Sequence, residues 1–104
     1  ATQAAPRVGV DTILQVVCEY FGVKVNDIIG TSRVKKFAFA RHVAQYLCRE
    51  LAGLSYPEIG VRFGGKDHSS ILHACKKIQR MVNEDPATQN MIAYLKRKIG
   101  DGAP

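Results

Sequence analysis

Apolar residues recur along most of the chain at the three- and four-residue spacing of amphipathic helices, and no segment shows the strict alternation of a half-buried strand. We predict helices over residues 11–21, 25–29, 37–52, 55–63, 67–83 and 85–99. The 104 residues suffice for one domain with its own core. The predicted fold class is therefore all-α, a compact bundle of about six helices.

Glycine follows the last apolar residue of most predicted helices and marks their ends. Residues 1–9 are small and polar and include a proline, so we predict a linker or a disordered N-terminus there. We likewise predict a disordered C-terminus over residues 101–104, which leaves residues 10–100 as the folded domain.

The predicted helix over residues 37–52 has two different faces on a helical wheel. One face is apolar and predicts the core: Ala40, Val43, Ala44, Leu47 and Leu51. The opposite face is polar and basic: Arg41, His42, Gln45 and Arg49. No acidic residue occurs between Asp27 and Glu50, so no residue nearby in sequence neutralises this second face. We predict that it lies on the surface and faces phosphate groups.

A short capped helix, a glycine turn and a longer helix follow one another over residues 55–83, which is the order of a helix-turn-helix. Ser55 and Glu58 can form a capping box. The longer helix begins with a run of polar residues: Lys66, Asp67, His68, Ser69 and Ser70. In this motif the second helix enters the major groove, and its first residues reach base edges. A solvated helix start with Asp67 as N-cap explains the same residues equally well.

Two further features suit a DNA backbone or groove. The basic segment over residues 31–36, with Arg33, Lys35 and Lys36, is predicted to be a loop. An arginine on such a loop can enter a minor groove, although an ordinary solvated run of charges has the same composition. The free backbone N–H groups at the start of the helix that contains Tyr56 and Pro57 suit a phosphate.

The composition is basic, with 15 Lys and Arg against 9 Asp and Glu and a formal charge of +6. This balance favours a polyanionic partner, but it does not choose among DNA, RNA and an acidic membrane surface. Cys18, Cys48 and Cys75 lie far apart within apolar patterns, so we expect buried thiols in a reducing cytoplasm. The spacing of cysteine and histidine predicts no metal site, and no segment is apolar enough to span a membrane.

The stretch LSYPEIGVRFGGKDHSSILHACKKI (54–78) resembles the signature of DnaA, the bacterial chromosomal replication initiator, in its C-terminal DNA-binding domain. The similarity continues in RHVAQYLCREL (41–51) and EYFGVKVNDIIG (19–30), and covers roughly residues 10–99. It implies a Trp-repressor-like helix-turn-helix and a target of TTATnCACA type, the DnaA box of replication origins. It also implies an ATPase region upstream, so ATP is expected there and no cofactor is expected in this domain.

The resemblance further implies roles for individual residues. Arg33 would read the minor groove, and the major-groove readers would be Lys66, Asp67, His68 and Ser69. The phosphate contacts would come from Arg41, His42, Arg49, Ser70 and the backbone at Tyr56 and Pro57, to which we add Lys35 and Lys36. We expect double-stranded DNA as the partner of a monomeric, nucleoid-associated domain, with regulator proteins and acidic phospholipid as further candidates.

Other functions fit these residues less well than DNA binding does. Asp67, His68 and Ser69 are the residue types of a hydrolase triad, but consecutive helical residues point about 100° apart and cannot form its hydrogen-bonded chain. The chain is therefore predicted not to be an enzyme. An RNA-binding module would need exposed aromatic platforms, and most Phe and Tyr residues fall in apolar arcs. A protein-docking module, and a transposase-associated or regulatory protein with the same DNA-binding unit, remain as alternatives.

Overall fold

The computed structural model describes residues 8–102, with side chains as far as Gly100, and six α-helices account for most of this range. They are α1 (Val10–Phe21), α2 (Val25–Ile29), α3 (Lys35–Leu51), α4 (Tyr56–Arg62), α5 (His68–Glu84) and α6 (Pro86–Gly102). Residues 8–102 contain no strand, which confirms the predicted all-α class. The predicted disordered termini lie mostly outside the described residues, although α6 ends at Gly102, two residues beyond Gly100.

Helix α3 lies at the centre of the bundle, where it contacts α1, α2, α4 and α5, while α6 packs against α1 and α5. The predicted core face of α3 is buried, apart from the partly buried Leu51. It meets apolar side chains of the other helices, among them Ile13, Val17, Ile28, Ile59, Ile71, Ile78, Leu95 and Ile99. This packing orders α2 and α4, because helices of five and seven residues are not stable alone.

Helix α3 begins earlier than predicted, at Lys35, with Val34 as its N-cap. The prediction of a loop over residues 31–36 is therefore wrong for Lys35 and Lys36, which are exposed residues of the first helical turn. Lysine favours helix, and neither glycine nor proline occurs between Thr31 and Gly53 to interrupt it. The connection between α2 and α3 is short, residues 30–34.

The prediction that the polar face of α3 forms a cationic surface is also wrong in part. Arg41 is 6% exposed and Gln45 is 2% exposed, so both are buried, whereas His42 is half-buried and Arg49 is exposed. A helical wheel separates residues by angle, but it does not show how many neighbouring helices cover the helix. Since α3 is packed on several sides, its polar face is divided between the interior and the surface.

Candidate nucleic-acid interface

The first helix of the helix-turn-helix, α4, begins with the predicted capping box. The Ser55 hydroxyl accepts a hydrogen bond from the Glu58 backbone N–H (3.2 Å), and the Glu58 carboxylate accepts one from the Ser55 N–H (2.8 Å). These two bonds satisfy backbone donors that have no partner within the helix. The start of α4 is therefore determined by its own sequence.

The turn between α4 and α5 depends on three glycines. The Gly60 carbonyl accepts hydrogen bonds from the backbone N–H groups of Gly65 and Lys66, both at 2.9 Å. Gly64 and Gly65 have φ values of +84° and +78°, which residues with a side chain rarely adopt. A Cβ atom at Gly60 would collide with the carbonyl of Lys66. The absence of a side chain thus lets α4 lie directly against the backbone that leads into α5.

The start of α5 presents polar side chains to solvent. Asp67 is the N-cap, and its Oδ2 accepts a hydrogen bond from the Ser69 N–H at 3.0 Å. Asp67, His68, Ser69 and Ser70 are all exposed, and Lys66 is half-buried. The prediction that Asp67 caps α5 is therefore confirmed. The cap uses one oxygen of Asp67, and the carboxylate remains accessible to solvent. Capping and base recognition are compatible at this residue.

The loop that carries Arg33 lies next to the turn of the helix-turn-helix. A Cβ atom on Gly64 would lie 3.2 Å from the carbonyl oxygen of Ile29, the last residue of α2. The loop continues directly from that point, and Arg33 within it is exposed. The side chain of Ser32 accepts a hydrogen bond from the Val34 N–H at 3.3 Å. The end of α2 therefore brings together two segments that are more than thirty residues apart in sequence.

Arg41 supports this arrangement from the interior. Its Nε donates a hydrogen bond to the Ile28 carbonyl at 2.7 Å, and its Nη2 donates one to the Asp27 carbonyl at 3.3 Å. Burial lowers the pKa of the guanidinium from its ordinary value. The side chain of Arg41, for which the sequence predicts a phosphate contact, is thus largely buried and binds the last turn of α2.

His42 lies in a cluster of cations where α3, α5 and the preceding turn meet. Burial lowers its pKa, and the charges of Lys77, Arg41 and Lys66 lower it further. The buried Nδ1 atom has no hydrogen-bond partner among residues 8–102. The pKa of Lys66 is lowered by burial and by Arg41. These side chains produce a positive potential beside the start of α5, which suits an anion such as a phosphate.

Arg49 forms a second positive group at the start of α4. Its Nη1 donates a hydrogen bond to the Leu54 carbonyl at 3.0 Å, and its guanidinium lies 4.5 Å from the centroid of the Tyr56 ring. Pro57, next to this ring, is exposed. These contacts hold the arginine in one orientation and leave it accessible to a phosphate.

Lys35 and Lys36 differ in what they face. Both are exposed, but the Nζ atom of Lys36 lies 3.9 Å from the position of a Cβ atom at Gly22, near the end of α1. Lys36 thus extends toward another helix terminus. The sequence interpretation missed two residues that shape the interface: Gly60, and Lys77, whose charge acts on His42. A glycine inside a helix is a local signal for close packing, whereas the position of Lys77 depends on how α5 crosses α3.

The cysteines behave as buried apolar residues, as predicted. Cys18, Cys48 and Cys75 are free and buried, and burial raises the pKa of Cys48 to about 12 and that of Cys75 to about 11. Such thiols stay protonated and unreactive at neutral pH. In the part of the chain that the structure describes, no cluster of His, Cys, Asp and Glu could hold a metal ion, and no helix is long and apolar enough to cross a membrane.

Comparison with known proteins gives one consistent match. Residues 10–78 match the family model described as the bacterial DnaA protein helix-turn-helix. The chain is 44% identical over 87 residues to the chromosomal replication initiator protein DnaA of Pelobacter propionicus, covering 84% of this chain and 19% of that protein. The chain therefore spans about a fifth of the length of this curated relative.

Two solved structures have the same fold. One, described as a DNA replication initiation factor, superposes with a TM-score of 0.77 at 30% identity over 88% of this chain and 29% of its own. The other, described as replication initiator DnaA bound to AMPPCP and single-stranded DNA, has a TM-score of 0.75 at 29% identity over 89% of this chain and 29% of its own. The matched family is named for a helix-turn-helix, which is a DNA-binding unit and has no catalytic role.

Proposed function

Because the chain belongs to the bacterial DnaA family, as its helix-turn-helix DNA-binding domain, we propose that it binds double-stranded DnaA boxes of TTATnCACA type and so supports the initiation of chromosomal replication. The chain itself is the helix-turn-helix DNA-binding domain of this family. The preference for this box and the assignment of grooves are the proposal.

One observation carries the proposal: the turn that leads into the exposed start of α5 lies against the end of α2, from which the exposed Arg33 loop continues. A helix start that reads base edges in the major groove needs exposed polar side chains, and Asp67, His68 and Ser69 have them. Asp67 can accept from a cytosine amino group, and Lys66 can donate to guanine. An arginine on an adjacent loop can reach the neighbouring minor groove, where A·T pairs give the strongest negative potential.

The backbone contacts would lie on both sides of these readers. Arg49, stacked on Tyr56, would bind a phosphate near Pro57 at the start of α4. His42, beside the charge of Lys77, would bind another phosphate, together with the hydroxyl of Ser70. Lys35 at the start of α3 would add a third positive charge close to Arg33. Such contacts set the register of the protein on the duplex without reading sequence.

The sharpest test of the two-groove arrangement combines a protein change with a base change. Binding is measured by fluorescence anisotropy on a DnaA box and on a box whose TTAT end carries G·C pairs. The guanine amino group would then stand in the path of Arg33 in the minor groove. We expect the wild-type chain to lose about 1–3 kcal/mol on the altered box, which is roughly 5- to 150-fold in affinity. Arg33→Ala should bind more weakly overall and respond little to the base change.

Two controls make the result specific. Arg33→Lys keeps the charge but loses the planar donor group, so it separates charge from shape. A scrambled duplex and a structured RNA at the same salt concentration test the specificity for double-stranded box DNA. A coupling energy near zero between Arg33 and the A·T pairs would reduce Arg33 to a phosphate contact and contradict the two-groove arrangement. Equal affinity for the RNA or the scrambled duplex would contradict the proposal of box binding.

A further inference from the structure

Arg41 is one of three polar or charged residues that are buried among residues 8–100, the others being Gln45 and Thr88. A buried guanidinium is costly unless its N–H groups are paired. Here Nε and Nη2 donate to the carbonyls of Ile28 and Asp27 at 2.7 and 3.3 Å. The last carbonyls of a helix have no donor within it, and a cation there is favoured by the helix dipole. Arg41 therefore binds the end of α2 through two N–H groups, whose directions are fixed by the planar guanidinium.

The end of α2 lies between Arg41 and the turn of the helix-turn-helix. Ile28 is fully buried, and the carbonyl of Ile29 faces Gly64 so closely that a Cβ atom there would lie at 3.2 Å. The α2 helix has only five residues, so its position depends on such contacts. The loop with Arg33 begins one residue after Ile29. Any shift of this helix end would therefore move the loop relative to the start of α5.

We infer that Arg41 is a positioning residue, which holds the end of α2 against the turn and so sets the spacing between the Arg33 loop and the start of α5. This inference rests on the proposed function, in which the loop and the helix read adjacent grooves. Two readers on one duplex must match the distance between the grooves at the same time. A displaced loop would lose the preference of Arg33 for A·T pairs in the minor groove. The start of α5 would keep its preference for bases in the major groove.

A different role was expected for Arg41 from its charge and from the family resemblance, namely a direct phosphate contact. The two roles predict different measurements. Loss of a phosphate contact weakens binding to all duplexes alike and lowers the slope of log K against log salt by about one. Loss of a positioning residue reduces the discrimination between A·T and G·C pairs at the TTAT end and leaves that slope unchanged.

The experiment compares Arg41→Lys and Arg41→Gln with the same changes at Arg97, an exposed arginine on α6. Affinity is measured on the box and on the box with G·C pairs at its TTAT end, across a series of salt concentrations. The lysine variant keeps the charge but cannot bind both carbonyls, and the glutamine variant removes the charge. We expect both Arg41 variants to lower the A·T preference toward that of Arg33→Ala, with wild-type salt slopes. The Arg97 variants should keep the wild-type preference.

A second readout follows the loop directly. Amide hydrogen exchange should become faster at residues 29–34 in Arg41→Lys, while the core amides of α3 keep their protection. Thermal unfolding shows whether each variant is folded, and the lysine variant carries the test if the glutamine variant is not. An unchanged A·T preference in the folded variants would overturn the inference. A slope lowered by one in Arg41→Gln, the variant that removes the charge, would assign Arg41 to a phosphate. If instead wild type and Arg33→Ala respond equally to the base change, it is the proposed function that fails.

Discussion

Asp67 has one observed role and one proposed role, which a pair of substitutions can separate. As the N-cap of α5 it accepts a hydrogen bond from the Ser69 N–H through Oδ2, and as a proposed base reader it would accept one from a cytosine amino group. Asp67→Ala removes both acceptors. Asp67→Asn keeps an oxygen for the cap but replaces the other oxygen with an amide donor, which a cytosine amino group cannot use. We therefore expect the alanine variant to lose stability and specificity, and the asparagine variant to lose specificity alone.

The expected magnitudes follow from these contacts. Loss of an N-cap costs about 1 kcal/mol, which corresponds to a decrease in the thermal midpoint of roughly 4–8 °C for a domain of this size. Asparagine caps helices as well as aspartate does, so Asp67→Asn should keep the free energy of unfolding within about 0.5 kcal/mol of wild type. On box DNA both variants should lose about 1–3 kcal/mol, and on scrambled DNA the loss should be far smaller.

The assay pairs thermal unfolding followed by circular dichroism with anisotropy titrations on box and scrambled DNA. Asp85→Ala is the matched control, because Asp85 accepts hydrogen bonds from the Thr88 backbone and side chain in the first turn of α6. It lies beyond the opposite end of α5, a helix of 17 residues that is about 25 Å long. This control should lower the thermal midpoint without changing the ratio of box to scrambled affinity. An Asp67→Asn variant with the wild-type ratio would refute base reading by the carboxylate and leave Asp67 as a cap only.

Three further predictions concern other parts of the interface. Arg49→Ala should weaken binding to box and scrambled DNA alike and lower the slope of log K against log salt by about one unit. An unchanged slope would mean that Arg49 only packs against Tyr56 and binds no phosphate. Gly60→Ala should destabilise the domain by about 1–3 kcal/mol in denaturant unfolding, because the new Cβ must displace the carbonyl of Lys66. Wild-type stability would show that α4 does not lie so close to the backbone that leads into α5. The lowered pKa of His42 means that the folded state binds protons less readily than the unfolded state. The stability of the free domain should thus fall as the pH drops below about 6.5, toward the lower folded pKa, and His42→Gln should reduce this loss in thermal unfolding across pH; an identical pH profile would contradict it.

Much of the fold was predictable because the signals are local. The apolar spacing, the capping box at Ser55 and Glu58, and the glycine pair at Gly64 and Gly65 each act within a few residues. The six helices follow from them, with boundaries close to those observed. The one boundary that differs at the interface is at Lys35, because a run of basic residues is compatible with a loop whereas lysine favours helix.

The candidate site was predictable only in its exposed part. The run of polar residues from Asp67 to Ser70 stands where a buried helix would begin with apolar ones, and its exposure follows from that composition. Arg41 and Arg49 are both arginines on the polar arc of α3, yet the first is buried against α2 and the second is exposed beside Tyr56. Their spacing in sequence does not distinguish them, because the difference comes from the helices that surround each end of α3.

The amino-acid sequence by itself determined which segments are helical, where most of them start and end, and which residues begin the second helix of the motif. These properties depend on backbone hydrogen bonds and side-chain caps between near neighbours, whose energies are set by the local sequence. Only the tertiary structure decided that the end of α2 joins the Arg33 loop to the turn at Gly64, and that Arg41 faces inward. These contacts join residues far apart in the chain, and they exist because the burial of apolar surface around α3 brings the helices together.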